Sequence, residues 1–201
     1  GALALGGAGL WLPADAEGEP RAHRVRLLHG SAFTADPVRP VRSDDLTVPA
    51  DGPPDRCLLV TPPSPRPLDL VGPVGVRLRA TAHTPSADWA ARLVVLPPDG
   101  AAERLAAGIV RRAEPAGRET AFTVELGRLA RRLRAGTRLR LEIAGHHFPA
   151  HARNPHTGDD PMTAAQLLAS RREVDPDSVV LNLPVLPSRP APTDPCEEIL
   201  R

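Results

Sequence analysis

Residues 137–143 have the sequence TRLRLEI, in which apolar and polar side chains alternate without a break. The aliphatic residues share one face of an extended strand: Leu139, Leu141 and Ile143. The charged residues share the opposite face: Arg138, Arg140 and Glu142. This period of two predicts a β-strand with its aliphatic face in a core and its charged face in solvent.

The same alternation recurs along the rest of the chain. It predicts further strands at about 23–27, 57–61, 74–80, 89–95, 105–111, 122–126 and 179–185. Turn-forming sequences separate several of them, such as Pro97-Pro98-Asp99-Gly100 and Ala135-Gly136. A chain of roughly eight short strands favours an all-β sandwich or jelly roll, with one core between two sheets.

Two short segments break the alternation and predict helices. In 126–133, apolar residues recur at a spacing of three to four, and arginines occupy the positions between them. The second segment, 163–170, is long enough for two turns and has Thr163 as its N-cap. Both are too short to form a layer of their own.

The composition excludes several classes of protein. Twenty-five prolines disfavour a helical fold, because a proline inside a helix costs about 3 kcal/mol. The net charge of +1 gives no attraction to nucleic acid or anionic lipid, and aromatic residues, at 2%, are too few for base-stacking platforms. The apolar opening of the chain is too short to span a bilayer. We expect no nucleic-acid and no membrane partner.

The chain divides into three parts by composition. Residues 1–30 are predicted to be a remnant of an upstream region or a linker, 31–186 the sandwich domain, and 187–201 a proline-rich tail. The two cysteines are expected to be unpaired thiols, Cys57 in a strand and Cys196 in the tail.

Motifs for catalysis or cofactor binding are absent from the sequence. No serine has the Gly-x-Ser-x-Gly setting of a hydrolase nucleophile, and there is no Gly-x-Gly-x-x-Gly, Walker or Cys-x-x-Cys pattern. We therefore expect no complete catalytic site and no cofactor in these residues.

One polar segment, 146–160, is a candidate functional loop. It holds four histidines and two aspartates, so a metal site is one interpretation. The other is a structured loop in which Asn, Thr and Asp side chains bond backbone groups, since Pro149 and Pro155 exclude a regular helix. The candidate residues are His146, His147, Phe148, Arg153 and Asn154.

Trp89, at the start of a strand, is either an anchor for a partner or, as we favour, a core residue.

Several of these elements, in this order, resemble one protein family. They begin with LVGPV at 70–74, ADW at 87–89 and PDG at 98–100, and continue with GTRLRLEI at 136–143 and RNPHTG at 153–158. LNLPV at 181–185 closes the series, and FTADPVRPV at 33–41 is similar to the segment that precedes the domain in the family. Over about residues 30–186 the chain resembles the C-terminal domain of the cocaine esterase and Xaa-Pro dipeptidyl-peptidase (CocE/NonD) serine hydrolases.

The resemblance implies a galactose-binding-like jelly roll that packs on an upstream α/β-hydrolase domain. The Ser-Asp-His triad of that family belongs to the hydrolase domain, so it implies no catalytic residue here. The sequence leaves open an alternative, a free-standing module that binds carbohydrate or another ligand, which would need a concave face with exposed aromatic side chains.

Overall fold

The computed structural model describes residues 2–6, 9–11, 22–23, 26–28, 30–48 and 54–186. The regular structure in these residues consists of strands: β1 Ala2–Gly6, β2 Gly9–Trp11, β3 Ala22–His23, β4 Arg26–Leu28, β5 Ala32–Ala35, β6 Arg56–Val60, β7 Leu68–Ala82, β8 Ala87–Leu96, β9 Glu103–Arg112, β10 Glu119–Leu133, β11 Arg138–Ala144 and β12 Ser170–Asn182. No helix of membrane-spanning length and hydropathy occurs in this part of the chain.

The strands form two antiparallel sheets. The first has the order β10-β7-β12-β1-β2-β3. In this sheet β5 also pairs with β12. The second has the order β4-β6-β11-β8-β9. From β5 to β12, the strands β5-β12-β7-β10 lie in one sheet and β6-β11-β8-β9 in the other. The chain crosses to the other sheet between all successive strands except β8 and β9, which pair side by side, and this arrangement is a jelly roll. The predicted all-β class is confirmed.

The core lies between the two sheets and consists of the predicted inward positions. The aliphatic residues that point inward from 74–78, 139–143 and 179–183 are at most 5% exposed: Val74, Val76, Leu78, Leu139, Leu141, Ile143, Val179, Leu181 and Leu183. Trp89 is 2% exposed and contacts the rings of Phe33 and Phe122, with centroids 6.4 Å and 5.5 Å away. Trp89 is therefore a core residue.

The predicted helix at 126–133 is wrong, because these residues form the second half of β10. Leu126 and Leu133 are buried and Leu129 is partly buried. A β-bulge between Glu125 and Gly127 inserts one residue into the ladder with β7, and Gly127 takes a φ of 100° there. The extra residue separates successive inward positions by three instead of two, which imitates a helical period.

The predicted helix at 163–170 is also wrong, and so is Thr163 as its N-cap. Residues 160–164 form a single turn, in which the amides of Thr163 and Ala164 donate to the carbonyl of Asp160 at 3.0 Å and 2.9 Å. The side chain of Asp160 accepts from the amide of Met162 at 2.7 Å, so Asp160 is the capping residue.

The outer face of β11 is in solvent as predicted only at Arg138, which is exposed. Arg140 is 8% and Glu142 1% exposed, because residues 36–48, called the strap here, cross this face. Arg140 donates to the carbonyl of Leu46 at 2.6 Å, and Arg92 donates to the carbonyls of Arg42 and Asp45, both at 2.9 Å. The sheet is thus covered on both faces, by the core and by the strap.

Some predictions concern residues that the structure does not describe, and one concerns Cys57. Residues 24 and 25 of the predicted strand 23–27, the tail 187–201 and Cys196 lie outside the described residues. Cys57 lies in β6 with its thiol buried, and burial raises the pKa of this thiol to about 12. The thiol therefore stays protonated at neutral pH and is a poor nucleophile.

Candidate functional site

The five candidate residues all lie in the connection between β11 and β12, residues 145–169, called the β11–β12 loop here. The structure divides them among three places. His146 and Asn154 are buried at the end of the sandwich, His147 is buried beside the strap, and Phe148 and Arg153 contact the strap from outside. They do not converge on one site.

Asn154 joins the β11–β12 loop to β8. It is 1% exposed, and its side-chain amide donates to Ser86 Oγ and to Asp88 Oδ1, both at 2.9 Å. Its Oδ1 accepts from the amide of His156 at 2.8 Å. Every polar group of this side chain therefore has a partner, as expected of a buried amide with a structural role.

Asp88 is the acidic centre of this cluster, a role that was not predicted from the sequence. Its two oxygens accept from Arg111 Nε at 2.6 Å and Nη2 at 2.9 Å, across the ladder between β8 and β9. The hydrogen bond to Asp88 raises the pKa of Arg111. In a strand the residue before a core tryptophan points to the opposite face, so the alternation gives no signal that Asp88 is buried.

His156 closes the base of the loop. Its ring is fully buried and Nδ1 donates to the carbonyl of Leu168 at 2.7 Å, which leaves Nε2 as an acceptor in the neutral ring. Its backbone has a φ of 66°, a region where His, Asn and Asp are the usual non-glycine residues. Burial, and then the positive charge of Arg172, lower the pKa of His156 to about 4.

Arg172 is a buried cation that was likewise not predicted from the sequence. Its side chain is fully buried over the face of Trp89, 5.1 Å from the ring centroid, and its three nitrogens make no hydrogen bond. Nε2 of His146 and Nε2 of His156 are likewise unbonded, and the two rings lie 5.1 Å apart. Burial lowers the pKa of Arg172 to about 10, so it remains charged at neutral pH.

The same electrostatics keep His146 neutral. Burial first, and then Arg172, lower the pKa of His146 to about 4. For His147, burial first and then Arg92 lower the pKa to about 4 as well. At neutral pH these imidazoles are uncharged, which spares the interior the cost of further cations beside two buried arginines.

Phe148 and Arg153 fix the loop to the strap. The guanidinium of Arg153 lies 5.5 Å from the centroid of the Phe148 ring and donates to the carbonyl of Pro37 at 2.9 Å. The amide of Phe148 donates to the carbonyl of Val41 at 3.1 Å, and its carbonyl accepts from the amide of Ser43 at 2.6 Å. These contacts hold two irregular segments against each other.

The arrangement lacks the geometry of a catalytic or metal centre. In the described part of the chain no hydrogen bond joins a serine or cysteine side chain to a histidine, so no nucleophile is paired with a base. No group of three or more His, Cys, Asp and Glu side chains there is placed to hold a metal ion. The histidines instead approach each other in two pairs, His146 with His156 and His147 with His151.

An open cleft of about 530 Å³ lies between the strap and the β11–β12 loop. Its lining combines polar, charged and small apolar residues: Ser43, Asp44, Leu46, Arg104, Pro149 and Ala150. Neither an aromatic side chain nor a histidine is among the residues that line it.

Comparisons with known proteins agree with the fold. A family model for the X-Pro dipeptidyl-peptidase C-terminal non-catalytic domain matches residues 12–181. No curated protein sequence matches the chain.

Solved structures extend this similarity to three dimensions. An aminopeptidase from a marine sediment archaeon (Thaumarchaeota archaeon) has a TM-score of 0.69 at 18% identity, and an α-amino acid ester hydrolase has 0.69 at 22%. In both cases the match covers 92% of this chain and 36% of the other. A CocE/NonD family hydrolase from Staphylococcus aureus has a TM-score of 0.50 at 12% sequence identity. That match covers 86% of this chain and 39% of the hydrolase. The chain thus spans about a third of the length of these proteins.

Proposed function

Because the chain belongs to the family of X-Pro dipeptidyl-peptidase C-terminal non-catalytic domains, we propose that it is the non-catalytic C-terminal β-sandwich of a serine hydrolase. In this proposal it packs on an upstream α/β-hydrolase domain of the same protein, which carries the catalytic serine and its base. The family match over 12–181 is the observation that carries the proposal.

The described residues support a structural role. The polar side chains of the β11–β12 loop bond each other, the strap and the strand ends, with no nucleophile and base in contact. We keep the predicted division of the chain as part of the proposal, with 31–186 as the domain, 1–30 as the connection to the upstream part and 187–201 as a tail. In the structure this connection also adds strands to the sandwich, since β1 pairs with β12 and β4 with β6.

For the substrate of the whole protein we propose an ester or a peptide bond after proline. The family is described by an X-Pro dipeptidyl-peptidase, and the two structures with a TM-score of 0.69 are an aminopeptidase and an ester hydrolase. Both classes of bond are cleaved by acylation of a serine, so one catalytic domain suits either.

The alternative function, a free-standing module for carbohydrate or another ligand, has less support. It requires exposed aromatic side chains on a concave face. Among the aromatic side chains that the structure describes, Trp89, Phe33 and Phe122 are buried and Phe148 is half-buried. The cleft beside the strap offers none of them.

A hydrolysis assay tests the proposed function. The 201-residue chain alone is expected to turn over neither a p-nitrophenyl ester nor an Xaa-Pro p-nitroanilide, because no nucleophile is paired with a base in the residues that the structure describes. The complete protein is expected to hydrolyse at least one of them. Turnover by the 201-residue chain that a Ser86→Ala or His156→Asn substitution abolishes would place catalysis here and refute the proposal.

A further inference from the structure

Three large apolar side chains that are close in sequence are exposed in the second half of the β11–β12 loop. Residues 159–168, called the apex here, include Met162, Leu167 and Leu168, which are 86%, 44% and 41% exposed. The other large exposed apolar residues in the described part of the chain are spread through the sequence: Leu27, Val38, Val71 and Leu186. Single exposed apolar residues are ordinary, whereas three within seven residues make this segment a candidate for an interaction surface.

Hydrogen bonds hold the apex in one conformation. At its base the amide of Leu168 donates to the carbonyl of Pro155 at 3.0 Å, and the carbonyl of Leu168 accepts from the buried ring of His156 at 2.7 Å. At its tip the side chain and carbonyl of Asp160 accept from three successive amides, beginning with Met162. The exposed side chains therefore stand on a fixed backbone, and docking costs little conformational entropy.

The apex is too small to bind a separate protein stably. Specific interfaces between separate chains bury about 1,600 Å², which is far more than three side chains can supply. A domain on the same polypeptide needs much less, since a covalent connection gives it an effective concentration in the millimolar range. The matched structures extend well beyond this fold, which makes up 36% of their length.

We propose that the apex is a docking surface of this chain, and that Met162, Leu167 and Leu168 fit an apolar recess on the upstream domain of the same polypeptide. This inference rests on the proposed function, because it requires that domain to be present. Methionine suits such a contact, since its flexible side chain adapts to an irregular apolar surface. The buried cluster of Asn154, Asp88 and His156 then serves to position the apex.

Oxidation of Met162 tests the inference directly, because it is the one methionine among the 201 residues. Hydrogen peroxide converts an accessible methionine to its sulfoxide, and peptide mass spectrometry measures the rate. In the 201-residue chain, shown to be folded by near-UV circular dichroism, Met162 is expected to react at the rate of a free peptide. In the complete protein it is expected to react at least about tenfold more slowly.

Amide hydrogen exchange on the same two samples separates the possible failures. Equal oxidation rates with protection elsewhere on the domain would overturn the apex as the docking surface and leave the proposed packing intact. Equal rates with no added protection anywhere would overturn both. Protection of Met162 in the 201-residue chain that grows with protein concentration would assign the apex to a second copy and overturn the inference.

Substitution in the complete protein provides a second test. Met162→Asp combined with Leu167→Asp is expected to restore rapid amide exchange at the docked surface, because each introduces a charge into an apolar contact. Val71→Asp, at a position that is 50% exposed elsewhere on the fold, is the matched control and is expected to leave exchange unchanged. Unchanged exchange in the double variant would contradict the inference.

Discussion

Glu142→Ala is expected to destabilise the chain by about 3–5 kcal/mol, the usual cost of removing one partner from a buried ion pair. Glu142 is 1% exposed and accepts hydrogen bonds from three arginines, Arg56 Nη1 at 3.2 Å, Arg92 Nε at 3.0 Å and Arg140 Nε at 2.7 Å. Without the carboxylate, Arg92 and Arg140 lie under the strap with no acidic partner, and Arg56 keeps only Asp55. The free energy of unfolding in urea measures the effect.

Glu103→Ala is the matched control for this substitution. Glu103 bonds Arg131 at 2.6 Å, but both side chains are about half exposed, at 52% and 47%. An exposed ion pair of this kind contributes at most about 1 kcal/mol. If Glu142→Ala lowers the free energy of unfolding by no more than Glu103→Ala does, Glu142 is exposed to solvent. In that case the strap does not cover the outer face of β11.

Acidification is expected to unfold the chain between pH 6.5 and pH 4. His146, His147 and His156 have pKa values of about 4 in the fold, against 6.5 in an unfolded chain. Between these values the unfolded state binds protons that the folded state does not, so stability falls as the pH falls. Each histidine lowers the free energy of unfolding by roughly 3 kcal/mol. This decrease begins as the pH falls below 6.5 and is complete below pH 4.

Thermal melts from pH 8 to pH 4.5 measure this effect. The melting temperature is expected to be nearly constant at the alkaline end and to fall steeply below pH 6.5, with an uptake of about three protons on unfolding. His156→Asn, which keeps a residue that tolerates a positive φ, should reduce the uptake by about one. His83→Asn, at an exposed histidine, is the control. A flat profile down to pH 5 would show that these imidazoles are not buried and neutral.

The core was predictable from the sequence because its residues obey one rule. In β7, β11 and β12 aliphatic side chains alternate with polar ones, and period two is a property of any extended chain. The family was also predictable, since the resemblance drawn from GTRLRLEI at 136–143 and RNPHTG at 153–158 agrees with the family model that matches 12–181.

The two predicted helices failed for a reason that lies in local geometry. The bulge at Glu125 and Gly127 shifts the inward positions from Leu126 to Leu129, and sequence periodicity alone does not separate a bulged strand from a helical turn. At 160–164 the strongest cap was Asp160, three residues before the predicted Thr163, so the turn ended where the helix was expected to begin.

The buried charges were missed because their partners come from distant segments. Glu142 and Arg140 look like solvent-facing residues until the strap, about a hundred residues earlier, covers them. Arg172 carries a weak signal of its own, since alternation backwards from the buried Val174 places it on the inner face of β12. A sequence rule that assigns every arginine to the surface cannot detect it.

The roles of the five candidate residues of the β11–β12 loop stay predictions. Their proximity in sequence suggested one site, but the loop runs from the buried cluster at Asn154 to the strap at Pro37, and backbone hydrogen bonds decide its course. The course of the loop depends on contacts between irregular segments, and such segments have no repeating pattern of apolar residues from which these contacts could be predicted.

The separation of this sandwich from the catalytic machinery is tested most directly by labelling the complete protein with a fluorophosphonate, which forms a covalent bond with an activated serine. Mass spectrometry of the digested protein then locates the label. The label is expected on a single serine upstream of these 201 residues. A label on a serine within them, or no labelled serine at all, would contradict the assignment of the chain as the non-catalytic domain of a serine hydrolase.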